Sequence, residues 1–174
     1  PHPNPLPGGE GINPIPAMNQ IYETVSRLGN EVAGRLAARL RAETKGEVLF
    51  SPADRGRYAT DASIYQVMPL GAFLPRETAD VRMAIDICRD LKVPIVPRGG
   101  GTSQCGQTVG AGLVIDHSKH MRRILDVNVG QRTARVEPGL VLDHLNADLK
   151  KHGLWYPVDV STSAQATLGG MAGN

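Results

Sequence analysis

Hydrophobic residues near the start of the chain recur every three or four positions. The residues of this stripe are Ile21, Val25, Leu28, Val32, Leu36 and Leu40. Such spacing places one apolar face on an α-helix, so residues 17–46 are predicted to form an N-terminal helical segment that could divide at Gly29 and Asn30. Residues 1–16 lack this period and contain six prolines, each of which removes a backbone donor. They are predicted to be a disordered leader.

The middle of the chain alternates between strand and helix patterns. Ser51-Pro52 is typical of the start of a short helix. Thr78 is predicted to cap a longer helix, and the buried face of that helix is expected to consist of Val81, Ala84, Ile85, Cys88 and Leu91. A β-branched segment at 93–96 follows directly. Residues 72–97 are therefore predicted to fold as strand, helix, strand, with parallel strands and a right-handed crossover.

Three short apolar segments and one helix pattern follow. The segments at 113–115, 124–127 and 134–136 are predicted to be strands, and their short links favour antiparallel neighbours. A helix is expected over residues 140–152, with Val141, Leu145 and Leu149 facing inward. Gly153 marks its end, because glycine commonly follows the last turn of a helix.

Charge and composition exclude several classes of protein. Lys and Arg number 19 and Asp and Glu 17, and only 4% of residues are aromatic, so a nucleic-acid partner is not predicted. The longest uncharged stretch, 99–115, is rich in Gly, Thr and Gln, which argues against a transmembrane segment. Two isolated cysteines, Cys88 and Cys105, fit a reducing cytoplasm.

Two other groups of residues were weighed as sites. His117 and His120 lie three positions apart beside Asp116, but no third ligand can be named, so they are interpreted as solvated turn residues and no metal is predicted. Ser103 could act as the nucleophile of a serine hydrolase, yet Cys105 stands where the nucleophile elbow needs glycine. That reading stays open as the weaker alternative.

A glycine-rich segment follows the strand predicted at 93–96. Gly99, Gly100 and Gly101 carry no Cβ, so successive backbone N–H groups can converge on an anion such as a pyrophosphate. A side chain at Gly100 is expected to displace the pyrophosphate, and a positive φ is expected at this position. The alternative is a mobile loop. The segment lacks the lysine of the nucleoside triphosphatase loop, and Gln104 occupies the position of the third glycine of the dinucleotide fingerprint.

A second glycine cluster lies at 166–174, where the backbone could also approach a ligand closely. Two separate glycine-rich segments of this kind indicate one long ligand with two phosphates.

These motifs together resemble a known family. The segment Pro97-Arg98-Gly99-Gly100-Gly101-Thr102-Ser103, the later segment 156–163 and the second glycine cluster occur in the order found in the FAD-binding domain of the p-cresol methylhydroxylase and vanillyl-alcohol oxidase superfamily. The resemblance covers about residues 50–174. The segment 57–66 is similar to the branch that oxidises D-2-hydroxy acids, which includes glycolate oxidase flavin subunits and D-lactate and D-2-hydroxyglutarate dehydrogenases.

The resemblance implies an α+β, bilobal domain over residues 47–174 that holds FAD between a small α/β lobe and an antiparallel-sheet lobe. The cofactor-binding residues it implies are Pro97, Arg98, Gly99, Gly100, Gly101, Thr102, Ser103, Gly106, Gln107, Pro157, Asp159, Ser161, Thr162, Thr167, Leu168, Gly169, Gly170 and Ala172. The first loop has Thr102 and Ser103 where covalent flavoproteins often have histidine, so non-covalent FAD is expected.

The activity that the resemblance implies is hydride transfer from a D-2-hydroxy acid to flavin N5, with electrons passed to an external acceptor. Relatives continue beyond the second glycine cluster into a substrate domain. The domain is therefore expected to be C-terminally incomplete, with its catalytic residues beyond Asn174 and little activity alone. The alternatives are a catalytically inactive FAD-binding fragment and a reductase of the same superfamily that acts on an amino-sugar nucleotide.

Overall fold

The computed structural model describes the backbone of residues 18–173 and the side chains of residues 29–173. The predicted leader at 1–16 lies outside the described residues. Helices and strands follow in the order α1 (Met18–Glu43), β1 (Glu47–Leu49), α2 (Pro52–Arg57), β2 (Gly71–Leu74), α3 (Thr78–Leu91), β3 (Ile95–Arg98), β4 (Leu113–Asp116), β5 (Ile124–Asn128), β6 (Thr133–Val136), α4 (Leu142–Leu149) and α5 (Leu168–Ala172). A 3₁₀ turn at Lys150–His152 extends α4.

The first lobe contains a four-stranded sheet in the order β1-β2-β4-β3. β1 is antiparallel to β2, while β4 lies between β2 and β3 and runs parallel to both. The predicted parallel direction of β2 and β3 is confirmed, but they are not neighbours. The prediction of antiparallel neighbours for residues 113–115 is wrong. Every residue of β4 is buried, which is typical of a central strand in a parallel sheet.

Helices α1 and α3 pack on one face of this sheet. Leu36 and Leu40 of α1 contact the same core as Phe73 and Ile115, and all four are at most 2% exposed. The helix runs through Gly29 and Asn30 without a break. In α3 the buried residues include Ala84, Ile87 and Cys88, whereas Ile85 is 38% exposed. The predicted inward position of Ile85 is therefore wrong, and Ile87 takes it.

The ends of the helices follow local signals in most cases. Ser51 caps α2 as predicted, because its hydroxyl accepts from the Asp54 N–H. Thr78 is the first residue of α3 rather than its cap; Glu77 occupies the cap position and makes no side-chain capping bond. Gly153, with φ of 66°, follows the 3₁₀ turn after α4, which confirms the predicted end.

The second lobe consists of the β5-β6 hairpin, α4 and α5. Leu140, Leu145 and Leu149 form its buried core, and Leu168 packs against them. Val141 is the half-buried cap of α4, and Leu142 holds the inward position predicted for it. The two lobes confirm the predicted α+β class. Between residues 18 and 173, no helix is both long and apolar enough to cross a membrane.

Candidate cofactor site

A cleft of about 460 Å³ opens at the carboxyl ends of β3 and β4. Most of residues 97–108, here called the first wall, line one side of it. Most of residues 160–173, the second wall, line the other side, with Pro138 beside them. The carboxyl ends of parallel strands are where open α/β sheets usually bind ligands, since the loops there diverge around a crevice.

Most of the residues predicted to bind the cofactor line this cleft. Those in the lining are Pro97, Arg98, Gly99, Gly100, Gly101, Thr102, Ser103, Gln107, Thr162, Thr167, Gly169 and Gly170. Those outside the lining are Gly106, Pro157, Asp159, Ser161, Leu168 and Ala172. The structure thus brings the two glycine segments together, and a cofactor role for each individual residue stays a prediction.

The residues outside the lining have other surroundings. Pro157 and Asp159 are exposed on the segment that leads to the second wall, and Ser161 is exposed within that wall. The Leu168 side chain packs into the core of the second lobe. Gly106 forms a turn with φ of 75°, and the Tyr65 ring lies behind it.

The sequence analysis missed several lining residues, which are Gln104, Cys105, Thr108, His117, Pro138, Val160, Ala166, Met171 and Gly173. Gln104, Cys105 and Thr108 could have been found by extending the predicted glycine loop to its full length. His117 was missed because β4 was predicted to pair elsewhere. It lies in the cleft since Asp116, the residue before it, pairs with Arg98 at the end of β3.

The two walls touch at the first glycines. A Cβ on Gly99 would overlap the Thr167 hydroxyl, and a Cβ on Gly100 would overlap the Gln165 carbonyl oxygen. The expected positive φ at Gly100 is wrong: Gly101 and Gly106 adopt it, at 67° and 75°. Gly100 needs the absence of a side chain for packing, whereas Gly101 also needs it for its backbone conformation.

The residues that line this cleft include hydrogen-bond donors without partners. Within the described chain, the backbone N–H groups of residues 100–103 donate to no other residue. Thr167 is 2% exposed, and its hydroxyl is buried without any hydrogen-bond partner. Thr167 lines the cleft, and buried polar groups are nearly always paired, so its unpaired hydroxyl favours a bound ligand or a water as the missing partner.

The charge of the cleft favours an anion. None of the described residues that line it is an aspartate or a glutamate, and Arg98 contributes a guanidinium. That guanidinium lies 5.5 Å from the centre of the Tyr58 ring, and its Nη1 is 3.5 Å from the Thr108 carbonyl oxygen. Burial, reinforced by the charge of Asp116, raises the pKa of the Tyr58 phenol, which therefore stays protonated and donates to Asp116 over 2.9 Å.

His117 adds a neutral group to the lining. Burial lowers the pKa of its imidazole below the ordinary value of 6.5. The ring is therefore uncharged at pH 7, and the positive charge of the cleft comes from Arg98.

Comparison with known proteins agrees with this geometry. The sequence model of one protein family, described as an FAD binding domain, matches residues 69–174. The chain belongs to this FAD-binding domain family. The fold also aligns with that of p-cresol methylhydroxylase at a TM-score of 0.58 and 20% identity, over 79% of this chain and 27% of the other.

Characterised relatives of this FAD-binding domain are much longer. The chain is 45% identical to D-2-hydroxyglutarate dehydrogenase of Pantoea ananatis over 129 residues, which cover 72% of the chain and 13% of that protein. It is 40% identical to glycolate oxidase subunit GlcD of Bacillus subtilis over 134 residues, which cover 74% of the chain and 28% of that subunit. A solved alkyldihydroxyacetonephosphate synthase shares the fold, with a TM-score of 0.70 and 21% identity over 78% of this chain and 30% of that one.

FAD, the cofactor of this family, fits the residues present in the cleft. Its pyrophosphate needs N–H and O–H donors and no nearby carboxylate, and the cleft provides free N–H groups, the unpaired Thr167 hydroxyl and Arg98. Gly99 and Gly100 let the two walls approach as closely as they do, so both can reach the same ligand.

The other groups weighed in the sequence are engaged elsewhere. Asp116 accepts from Tyr58 and from Ser118, while the His120 ring is 2.6 Å from Glu47. Among the side chains of residues 29–173, no three His, Cys, Asp or Glu gather as metal ligands would. Ser103 donates to the Gln107 side chain and accepts from the Cys105 N–H, and no imidazole bonds to its hydroxyl in the described structure. The described residues therefore place no general base beside Ser103.

Proposed function

We propose that this chain is the cofactor-binding part of a flavin-dependent oxidoreductase that oxidises a D-2-hydroxy acid and holds FAD without a covalent bond. The observation that carries the cofactor assignment is the buried, unpaired Thr167 hydroxyl in a cleft without carboxylates. The similarity to D-2-hydroxyglutarate dehydrogenase and to a glycolate oxidase subunit supports the substrate class.

Each wall of the cleft has its own role in this proposal. The free N–H groups of residues 100–103 and the Arg98 guanidinium bind the pyrophosphate from the first wall. The Thr167 hydroxyl binds it from the second wall. Val160 and Met171 supply apolar contact area on that side. Bound FAD supplies the acceptor for the hydride that leaves the α-carbon of the hydroxy acid.

Other parts of the reaction are assigned to groups beyond this chain. The chain spans 13% of the length of the D-2-hydroxyglutarate dehydrogenase and 28% of the glycolate oxidase subunit, which leaves room in those proteins for a substrate domain. We assign the substrate-binding groups and the contact with an external electron acceptor to such a domain. A cytoplasmic location completes the proposal, supported by the two free cysteines.

The proposal is tested by titrating the 174-residue chain with FAD and following the flavin fluorescence. Thr167→Val keeps the shape of the side chain and removes the hydroxyl. Because one hydrogen bond to a charged acceptor contributes about 1.5–3 kcal/mol, FAD affinity should fall about 10- to 100-fold. The stability of the free protein should stay equal or rise, since a buried unpaired hydroxyl is removed.

Thr133→Val is the matched control, because Thr133 is exposed on β6 and far from the cleft lining. It should leave FAD affinity unchanged. Acid precipitation of the loaded protein should release all flavin into the supernatant. Equal FAD affinity for the parent and Thr167→Val would contradict the assigned site, and flavin that stays with the pellet would contradict non-covalent binding.

A further inference from the structure

The segment Tyr58–Tyr65, between α2 and β2, contacts the first wall at four separate points. The Tyr58 ring lies under the Arg98 guanidinium at 5.5 Å. The Ala62 N–H donates to the Gly101 carbonyl oxygen over 3.0 Å. The remaining two contacts join Asp61 to Thr108 and place the Tyr65 ring behind Gly106.

Asp61 makes the strongest of these contacts. One carboxylate oxygen accepts from the Thr108 hydroxyl at 2.9 Å and from the Thr108 N–H at 3.4 Å. The other accepts from the Ser63 N–H at 2.8 Å. Hydrogen bonds to a carboxylate are about twice as strong as those between neutral groups, so Asp61 fixes the far end of the first wall to the segment that carries it.

Tyr58 fixes the near end of the same wall. Its hydroxyl is bonded to Asp116, and Asp116 is held in turn by the N–H and the hydroxyl of Ser118 at 2.8 and 2.7 Å. The ring therefore has one position, and a cation over an aromatic face is attracted to it. Arg98, which lines the cleft, is thus held in place over the Tyr58 ring.

Three consecutive glycines would otherwise leave the first wall free to move. Glycine loses more conformational freedom on ordering than any other residue, so a loop that becomes ordered only on binding weakens the affinity for its ligand. Neither Asp61 nor Tyr58 lines the cleft itself. Their contribution to binding must act through Thr108, Gly101 and Arg98, which do.

We propose that Tyr58–Tyr65 is a positioning segment that orders the first wall before the cofactor binds, with Asp61 as its main positioning residue. This inference rests on the proposed function of the cleft as an FAD site. It gives a role to a stretch of sequence that contacts the first wall from outside and supplies no lining residue of the cleft.

The test compares Asp61→Asn and Asp61→Ala with Asp54→Asn. Asp54 is the matched control because it also accepts side-chain hydrogen bonds, from Ser51 and Arg57, but within α2. Hydrogen exchange of the amides of residues 99–107 is measured without FAD, and the dissociation constant for FAD is measured by fluorescence. Exchange should speed up and affinity should fall, each by about tenfold for Asp61→Ala and less for Asp61→Asn, while Asp54→Asn matches the parent.

A double-mutant cycle separates positioning from general damage to the fold. Thr108→Val removes the hydroxyl that Asp61 accepts from, so Asp61→Asn combined with Thr108→Val should bind FAD no worse than the weaker of the two single variants. Additive losses would overturn the inference, as would faster exchange without a change in affinity.

The outcomes distinguish this inference from the proposed function. A parent chain that does not bind FAD overturns the proposed function and the positioning role with it. Normal FAD binding by the parent, together with unchanged exchange and affinity in Asp61→Ala, overturns the positioning role alone.

Discussion

The two walls of the cleft are both rich in glycine, but they are held in place by different interactions. The first wall depends on side chains outside it, chiefly Tyr58 and Asp61. The second wall is fixed by backbone hydrogen bonds to the segment before α4. These bonds run from the Leu142 N–H to Ala166, from the Leu168 N–H to Leu140 and from the Gly169 N–H to Pro138, over 3.0, 2.9 and 2.8 Å.

The glycines also serve different purposes in the two walls. Gly101 and Gly106 have positive φ, which side chains disfavour. Gly169 in the second wall has no such φ, and a Cβ there would lie 2.7 Å from the Pro138 Cβ. Of the two walls, the first alone uses glycine for a positive φ, at Gly101 and Gly106, whereas close approach requires glycine in both walls. A substitution where the two walls touch tests whether FAD binding requires that contact.

The largest effect is expected for Gly100→Ala. The added Cβ would overlap the Gln165 carbonyl oxygen, a backbone atom that cannot move aside like a flexible side chain. Such overpacking costs about 1–3 kcal/mol, and here it forces the two walls apart. FAD affinity should fall at least about tenfold, as measured by flavin fluorescence, and the melting temperature should drop by several degrees.

Gly34→Ala is the control for this change. Gly34 lies inside α1 with no atom within 4 Å of the added Cβ, so alanine should stabilise the helix by about 0.5–1 kcal/mol and leave FAD affinity unchanged. A Gly100→Ala variant that binds FAD like the parent would show that the walls need not touch.

Local signals made much of the fold predictable. The capping geometry at Ser51 and the glycine at 153 act within a few residues, so the sequence reveals them directly. The place of β4 depends on its pairing with both β2 and β3, which are distant in sequence. The short links between the later segments favoured antiparallel neighbours instead, and the prediction for β4 was therefore wrong. Ile85 was misplaced because hydrophobicity alone does not tell which face of α3 meets the sheet.

The parts of the site that show as glycine-rich segments in the sequence were predictable. Two glycine clusters mark both walls of the cleft, and both were found. His117 reaches the cleft only through the register of β4 on β3, which single-sequence patterns do not reveal. Two further features likewise exist only in the folded chain: the Thr167 hydroxyl has no partner, and Asp61 accepts a hydrogen bond from Thr108.

A smaller effect is expected at Glu137, whose carboxylate is proposed to stabilise the segment that holds the second wall. Glu137, beside Pro138, is 5% exposed and accepts from the Arg123 N–H at 2.7 Å and from its Nη2 at 2.7 Å. These hydrogen bonds from Arg123 outweigh the effect of burial and hold the pKa of Glu137 below its ordinary value of 4.5. Its stabilisation is therefore complete above about pH 4.5 and is lost as the pH falls through the lowered pKa.

Glu137→Gln should lower the free energy of unfolding at pH 7 by about 1–3 kcal/mol and flatten the acid limb of the stability profile. Urea unfolding between pH 7 and pH 3 measures both. The matched change Asp126→Asn, at an exposed carboxylate on β5, should alter stability by less than about 0.5 kcal/mol. An unchanged acid limb in Glu137→Gln would show that the carboxylate does not stabilise this segment.

The smallest expected effect is the protection of Cys105 from alkylation by FAD, which tests whether the cofactor covers the first wall. Cys105 is exposed in that wall and lines the cleft, whereas Cys88 is buried in the first lobe, where burial raises the pKa of its thiol to about 11. At pH 8 an alkylating reagent should therefore modify Cys105 alone, because the thiolate is the reactive form. Saturating FAD should slow this reaction a few-fold and leave Cys88 unmodified, as followed by intact mass over time.

A second-wall variant that lowers affinity, Thr167→Val, should shift the FAD concentration needed for protection by the same factor as its dissociation constant. If FAD binds but Cys105 reacts at the same rate with and without it, the ligand rests on the second wall only, and the first wall has no part in holding it.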